Sequence, residues 1–223
     1  MVEGAGLENR YIHKDIAGSN PALSASQGMS RPSQKLVLMN KKTVARWQNW
    51  SGESIEHLAL TEATEGVWAE AVIIGKENDN AFAAQYTIAC DTEWRVRKVN
   101  LSLIGNDREV KLASDGLGNW SDQSGALPKL KGAIDIDISA TPFTNTLPIR
   151  RLKLQTGQSA NILVVYIQLP ELHISIDSQR YTCLETNHLY RFESLDGDFV
   201  RNIETADNGL VVTYPGLFQR VDL

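Results

Sequence analysis

The chain has 223 residues, 42% hydrophobic and 22% charged, with a net charge of −5 and a pI near 5.4, which is enough apolar mass for one sizeable core. The longest purely apolar run is 162–167, far short of the roughly 20 residues a membrane helix needs. No basic cluster is interleaved with aromatics, so the electrostatic drive toward nucleic acid is missing and neither DNA nor RNA is an expected partner.

Residues 1–38 read unlike the rest. They are rich in Gly, Ser, Ala and Pro and show neither helical nor strand periodicity. The stretch GSNPALS back-translates through a sequence that resembles a tRNA-gene T-loop, and VEGAGLENRY through an anticodon arm. We read 1–38 as a disordered or mis-annotated extension, with translation starting at Met39 or Met29. Intact mass of the native gene product tests this, and a species that keeps Met1 or Val2 would overturn it. The stretch carries no charged n-region followed by an apolar h-region, so a cytoplasmic location is expected.

From 39 to 223 a single β-rich domain is expected. Short alternating or β-branched runs recur near 44–49, 55–62, 66–75, 81–90, 93–104, 108–114, 118–122, 132–139, 149–154, 159–169, 172–184, 188–194, 198–204, 209–213 and 218–221. That makes about fifteen strands, separated by turn sequences such as GKENDN, GND, DGLG and DNG. Two cysteines, Cys90 and Cys183, have no CxxC spacing and read as buried reduced thiols. Neither a metal site nor a cofactor is expected.

One segment concentrates the polar chemistry: GAIDIDISATPFTNTLPIRRL, Gly132 to Leu152. In Ile134–Ile138 the period of two puts three isoleucines on one face and Asp135 and Asp137 on the other. Two acids on one face can hold a cation, grip a sugar, or share acid and base roles, or can simply face water. Thr141 followed by Pro142 is a helix start, and Pro148 disfavours helix at Leu147, so one short helix within 142–147 is expected. Phe143 and Leu147 suit core packing, and Asn145 can satisfy loop backbone or reach a ligand hydroxyl. Arg150 and Arg151, taken as extended, point to opposite faces, so at most one meets Asp135 or Asp137, either as a fixed corner or as a ligand clamp. Outside this segment, Trp47 among five tryptophans and His57 beside Glu56 are ligand-contact candidates. The signatures G-x-S-x-G, GxxxxGK[ST], HExxH and GxGxxG are absent, so no catalytic residue is assigned.

The runs ARWQNWSGESIEHLAL, WRVRKVNLSL, DGLGNW, DIDISATPFTNTLPIRRL, QRYTCLE, YRFES and GLVVTYPGLFQR together resemble the glycolipid-binding protein family, formerly a domain of unknown function, over Ala45 to Val221. The resemblance implies a β-sheet wrapped around a single helix, so with the strands read above the expected fold is mainly β, a curved sheet or roll of about fifteen strands around one short helix. It further implies a homodimer, a LolA/LolB-like shape and no assigned catalytic residues. Three readings follow. The first is a non-catalytic protein holding a glycolipid or other amphiphile, with Asp135, Asp137, Thr141, Phe143, Asn145, Arg150, Arg151, Trp47 and His57 as candidate contacts. The second is an enzyme acting on a sugar or lipid conjugate through Asp135 and Asp137. The third is a dimeric scaffold whose sheet is filled by the helix. The segment 132–152 is read first as the structural corner of the fold and second as a binding wall.

Overall fold

The computed structural model describes residues 40–77 and 80–222, so the reading of 1–38 lies outside them. The first half supplies β1 (Lys41–Asn49), β2 (Ile55–Ala63), β3 (Gly66–Glu77), β4 (Asn80–Cys90), β5 (Val96–Leu103), β6 (Glu109–Ser114), β7 (Trp120–Asp122) and β8 (Gly125–Ala126), then a 3-10 turn at Pro128–Leu130. Strand β9 (Asp135–Ile138) leads into α1 (Phe143–Leu152). The second half supplies β10 (Ser159–Gln168), β11 (His173–Glu185), β12 (Leu189–Ser194), β13 (Val200–Thr205), β14 (Val211–Tyr214) and β15 (Phe218–Arg220).

All fifteen strands form one open sheet in the order β8-β7-β6-β5-β4-β3-β2-β1-β15-β14-β13-β12-β11-β10-β9. Alternation drives it. In β3, Val67, Ala69, Ala71 and Ile73 are buried while Trp68, Glu70, Val72 and Ile74 face out. Short turns make sequence neighbours antiparallel partners, and β15 closes back on β1 with Trp47 opposite Arg220. The exception is β9, which pairs parallel to β10 because α1 carries the chain across between them.

Strands far apart in the sheet reach the same helix, so the sheet must curl around it. Tyr86 on β4 stacks on Phe143 at 6.4 Å, Asn145 reaches Tyr181 on β11, and Arg150 reaches Glu62 on β2. Both faces of β9 are covered, as is the part of β10 that pairs with it. Ile136, Ile138, Val165 and Ile167 share one core with Leu101, Leu112 and Trp120, while Asp135 and Asp137 bond to side chains of α1. Glycine allows one close approach behind this corner: Gly132 donates its N–H to the Gly118 carbonyl at 2.8 Å, and a Cβ on Gly118 would lie 2.9 Å from Gly132 Cα.

The helix differs from the expected 142–147. It runs through Pro148 to Leu152 and replaces the strand expected at 149–154. A proline there removes one backbone donor, and its ring crowds the preceding turn. Full burial of Phe143 and Leu147, together with the ion pairs of Arg150 and Arg151, outweighs that local cost. Lys153, left-handed at φ 51°, ends the helix. Thr141 does serve the start: its Oγ1 accepts the Phe143 N–H at 3.0 Å. Strand β8 has no counterpart in the expected set, because Gly125 and Ala126 carry no apolar pattern.

Candidate functional site

The polar side chains of 135–151 are mostly paired with one another and with the sheet. Arg151 donates from Nε and Nη2 to Asp135 at 2.6–3.1 Å, and the Asp135 side chain has 0% exposure. Burial pushes the Asp135 carboxyl above its ordinary value, and the Arg151 guanidinium opposes that rise. Arg150 donates to Glu62 at 2.9 Å and to the Asn208 carbonyl at 2.6 Å, with its guanidinium 4.3 Å from the centroid of the Trp94 ring. Asn145, buried, donates to the Tyr181 hydroxyl at 2.8 Å. Asn145→Ala is therefore expected to cost about 1–3 kcal/mol, because the Tyr181 hydroxyl loses its partner inside the fold. Urea melts check this, and a variant as stable as the parent would show the bond to be dispensable.

Asp137 faces elsewhere. Its Oδ1 accepts the Thr144 hydroxyl at 3.0 Å and its Oδ2 accepts Gln179 Nε2 at 2.8 Å. The same Nε2 also donates to Asp177 Oδ2 at 2.9 Å. Burial, partly offset by the Gln179 and Thr144 bonds, raises the Asp137 pKa, and Asp177 raises it further.

These groups floor a cleft of about 610 Å³. One wall is polar, with Asp137, Ser139, Ser175, Asp177 and Gln179. Next to it the lining is aromatic, where Phe192, Phe199, Tyr214 and Phe218 pack edge-to-face or tilted with centroids 5.9–6.5 Å apart. Trp50 and Leu217 stand exposed at its mouth. The register explains the assembly: on β11, Ser175, Asp177 and Gln179 share a face by alternation, and Gln179 lies opposite Ser194 and Tyr181 opposite Phe192.

Of the nine residues singled out in the sequence, the structure brings Asp137, Thr141 and Asn145 to this cleft. Asp135, Arg150 and Arg151 are held in ion pairs behind it, and Phe143 is fully buried against Tyr86. Trp47 lies in the core with 0% exposure, its indole N–H donating to the Val211 carbonyl. His57 sits on the outer face, accepting from Arg46 Nε, in a separate shallow depression. Gln179, Asp177 and the aromatic wall went unnoticed in the sequence. The run HISIDSQ carries the alternation that would have flagged the first two, whereas the four rings come together only through strand register. Among the described residues no group of His, Cys, Asp and Glu is arranged to hold a metal ion, and no helix is long and apolar enough to cross a membrane.

An open sheet rolled around one helix, with an amphipathic cleft beside it, has the form of a binding domain. The family described as "Putative glycolipid-binding" matches residues 44–220, and the chain belongs to that family. A crystal structure of a DUF1089 family protein from Pseudomonas aeruginosa is 38% identical with a TM-score of 0.67, covering 76% of this chain and 92% of that one. No curated protein matches the sequence.

Proposed function

We propose that the chain is a non-catalytic binding protein that holds an amphiphile, of the glycolipid class its family is named for, in the 610 Å³ cleft. The observation that carries this is the division of the lining. The apolar part of the ligand lies against Phe192, Phe199, Tyr214 and Phe218, and its polar end meets Asp137, Asp177 and Gln179. The pairing of Asp135 with Arg151 weighs against the enzymatic reading, because a fully buried, doubly bonded carboxylate is not available to share acid and base roles with Asp137. The cleft itself weighs against a scaffold whose sheet is filled by the helix.

Native mass spectrometry after incubation with a total lipid extract tests the proposal. Wild type is expected to retain a lipid-sized adduct. Phe218→Arg, on the aromatic wall, is expected to lose most of it, and Val44→Arg, half-exposed outside the cleft, to keep it. No retained lipid in wild type, or equal retention by Phe218→Arg, would sink the proposal.

A further inference from the structure

Around Gln179 the cleft presents a cluster of acceptors, Asp137, Asp177 and the Gln179 carbonyl, with no basic side chain among them. Gln179 is 1% exposed, and its Nε2 is committed to Asp137 and Asp177. Turning the amide over would set its oxygen against two carboxylates, so the carbonyl Oε1 remains the free end, and it has no partner. Asp137 receives bonds from Thr144 and Gln179, each supplying one donor to a group with room for about four. A buried carbonyl oxygen without a donor, beside two carboxylates, suits a ligand that brings N–H or O–H groups.

Charge narrows the choice. Among the described residues that line the cleft, Glu77, Asp137 and Asp177 are acidic, and none is lysine, arginine or histidine. Behind the lining, Arg151 is paired with Asp135, and Arg201 bonds the Val200 carbonyl and lies 4.8 Å from the centroid of Phe199 without itself lining the cleft. Phe192 and Tyr214 also line the cleft, and an aromatic ring attracts a cation placed over its face. A phosphate, sulfate or carboxylate head would meet three acids and no fixed counter-charge. A neutral sugar can exchange hydrogen bonds with these acceptors and with the serine and threonine hydroxyls of the lining, but it leaves the acidic charge uncompensated. A protonated amine brings up to three donors and the missing charge.

We propose that the polar end of the cleft selects an amphiphile whose head group carries a protonated primary amine, held by Asp137, Asp177 and the Gln179 carbonyl, and rejects anionic heads. This rests on the cleft being the amphiphile site. The test compares three probes of one chain length by isothermal titration calorimetry, each below its micelle-forming concentration: dodecylamine, dodecyl maltoside and dodecyl phosphate. Dodecylamine is expected to bind at least ~10-fold more tightly than the maltoside, as a charge-assisted contact to a buried acceptor implies, with dodecyl phosphate the weakest. Asp137→Asn is expected to bring the amine-to-maltoside ratio toward one. If the maltoside binds as tightly as the amine, or the phosphate matches either, amine selection falls while the amphiphile site stands. If none of the three binds, both fall.

Discussion

Replacing Arg151 by alanine is expected to lower stability by about 3–5 kcal/mol, the usual cost of stranding a buried charge by removing its partner. The geometry supports the upper part of that range. Three N–O contacts of 2.6–3.1 Å join Arg151 to an Asp135 side chain with 0% exposure, and Arg151 itself is 14% exposed. The loss should depend on pH in a way that a simple packing defect does not. Without Arg151 the opposing pull is gone and burial alone sets the Asp135 pKa, so acidification lets the carboxyl neutralise itself and recovers part of the stability. Urea midpoints of Arg151→Ala at pH 5 and pH 8 measure this. A deficit that is the same at both pH values would mean that Asp135 is not the stranded group. The double variant Asp135→Asn/Arg151→Ala should be more stable than Arg151→Ala alone at pH 8.

The sheet was legible because its strands alternate and its turns are marked, and β1 to β6 fall within a few residues of their expected spans. The helix was legible at its start, where Thr141 and Pro142 carry a local signal, and illegible at its end. Pro148 obeys a local rule only if nothing distant overrides it. Here Arg151 finds Asp135 sixteen residues back and Arg150 finds Glu62 eighty-eight residues back, and both pairings require helical spacing past the proline. The candidate site divides along the same line. Asp137 and Asn145 stand in a conspicuous segment, so they could be named from the sequence. The aromatic wall draws one ring each from β12, the loop before β13, β14 and β15, and no spacing along the chain connects Phe192 with Phe218. Trp47 misled for the converse reason. It reads as a ligand-contact candidate, and the closure of β15 and β14 over β1 puts its indole N–H against the Val211 carbonyl in the core.

Glu56 supplies the second large effect, and its sign is the opposite of the usual carboxylate. It lies under the start of α1 at 2% exposure, with Oε1 accepting the Tyr86 hydroxyl at 2.5 Å and Oε2 without a partner. Burial pushes its pKa up to about 7 against 4.5 for the free side chain, and the bonds to Thr141 and Tyr86 offset only part of the rise. Between those two values the folded state holds a proton that the unfolded chain releases. Stability therefore falls as pH rises from about 4.5 to about 7 and levels off above that, with about 3 kcal/mol at stake. Glu56→Gln keeps an oxygen for Tyr86 and removes the charge. It is expected to match or fall slightly below wild type at pH 5 and to exceed it by up to about 3 kcal/mol at pH 8. Asp135 and Asp137 are raised in the same direction, so the difference between variant and parent, rather than the parent's own profile, isolates Glu56. The hydroxyl of Thr141, which accepts the Phe143 N–H at the start of α1, lies 3.4 Å from that of Tyr86, so Glu56 sits beneath the start of the helix that carries Asn145 to the cleft. Urea melts of both proteins at pH 5 and pH 8 decide the matter: a stability difference that does not change with pH would mean that Glu56 is already ionised, or already neutral, across the whole range.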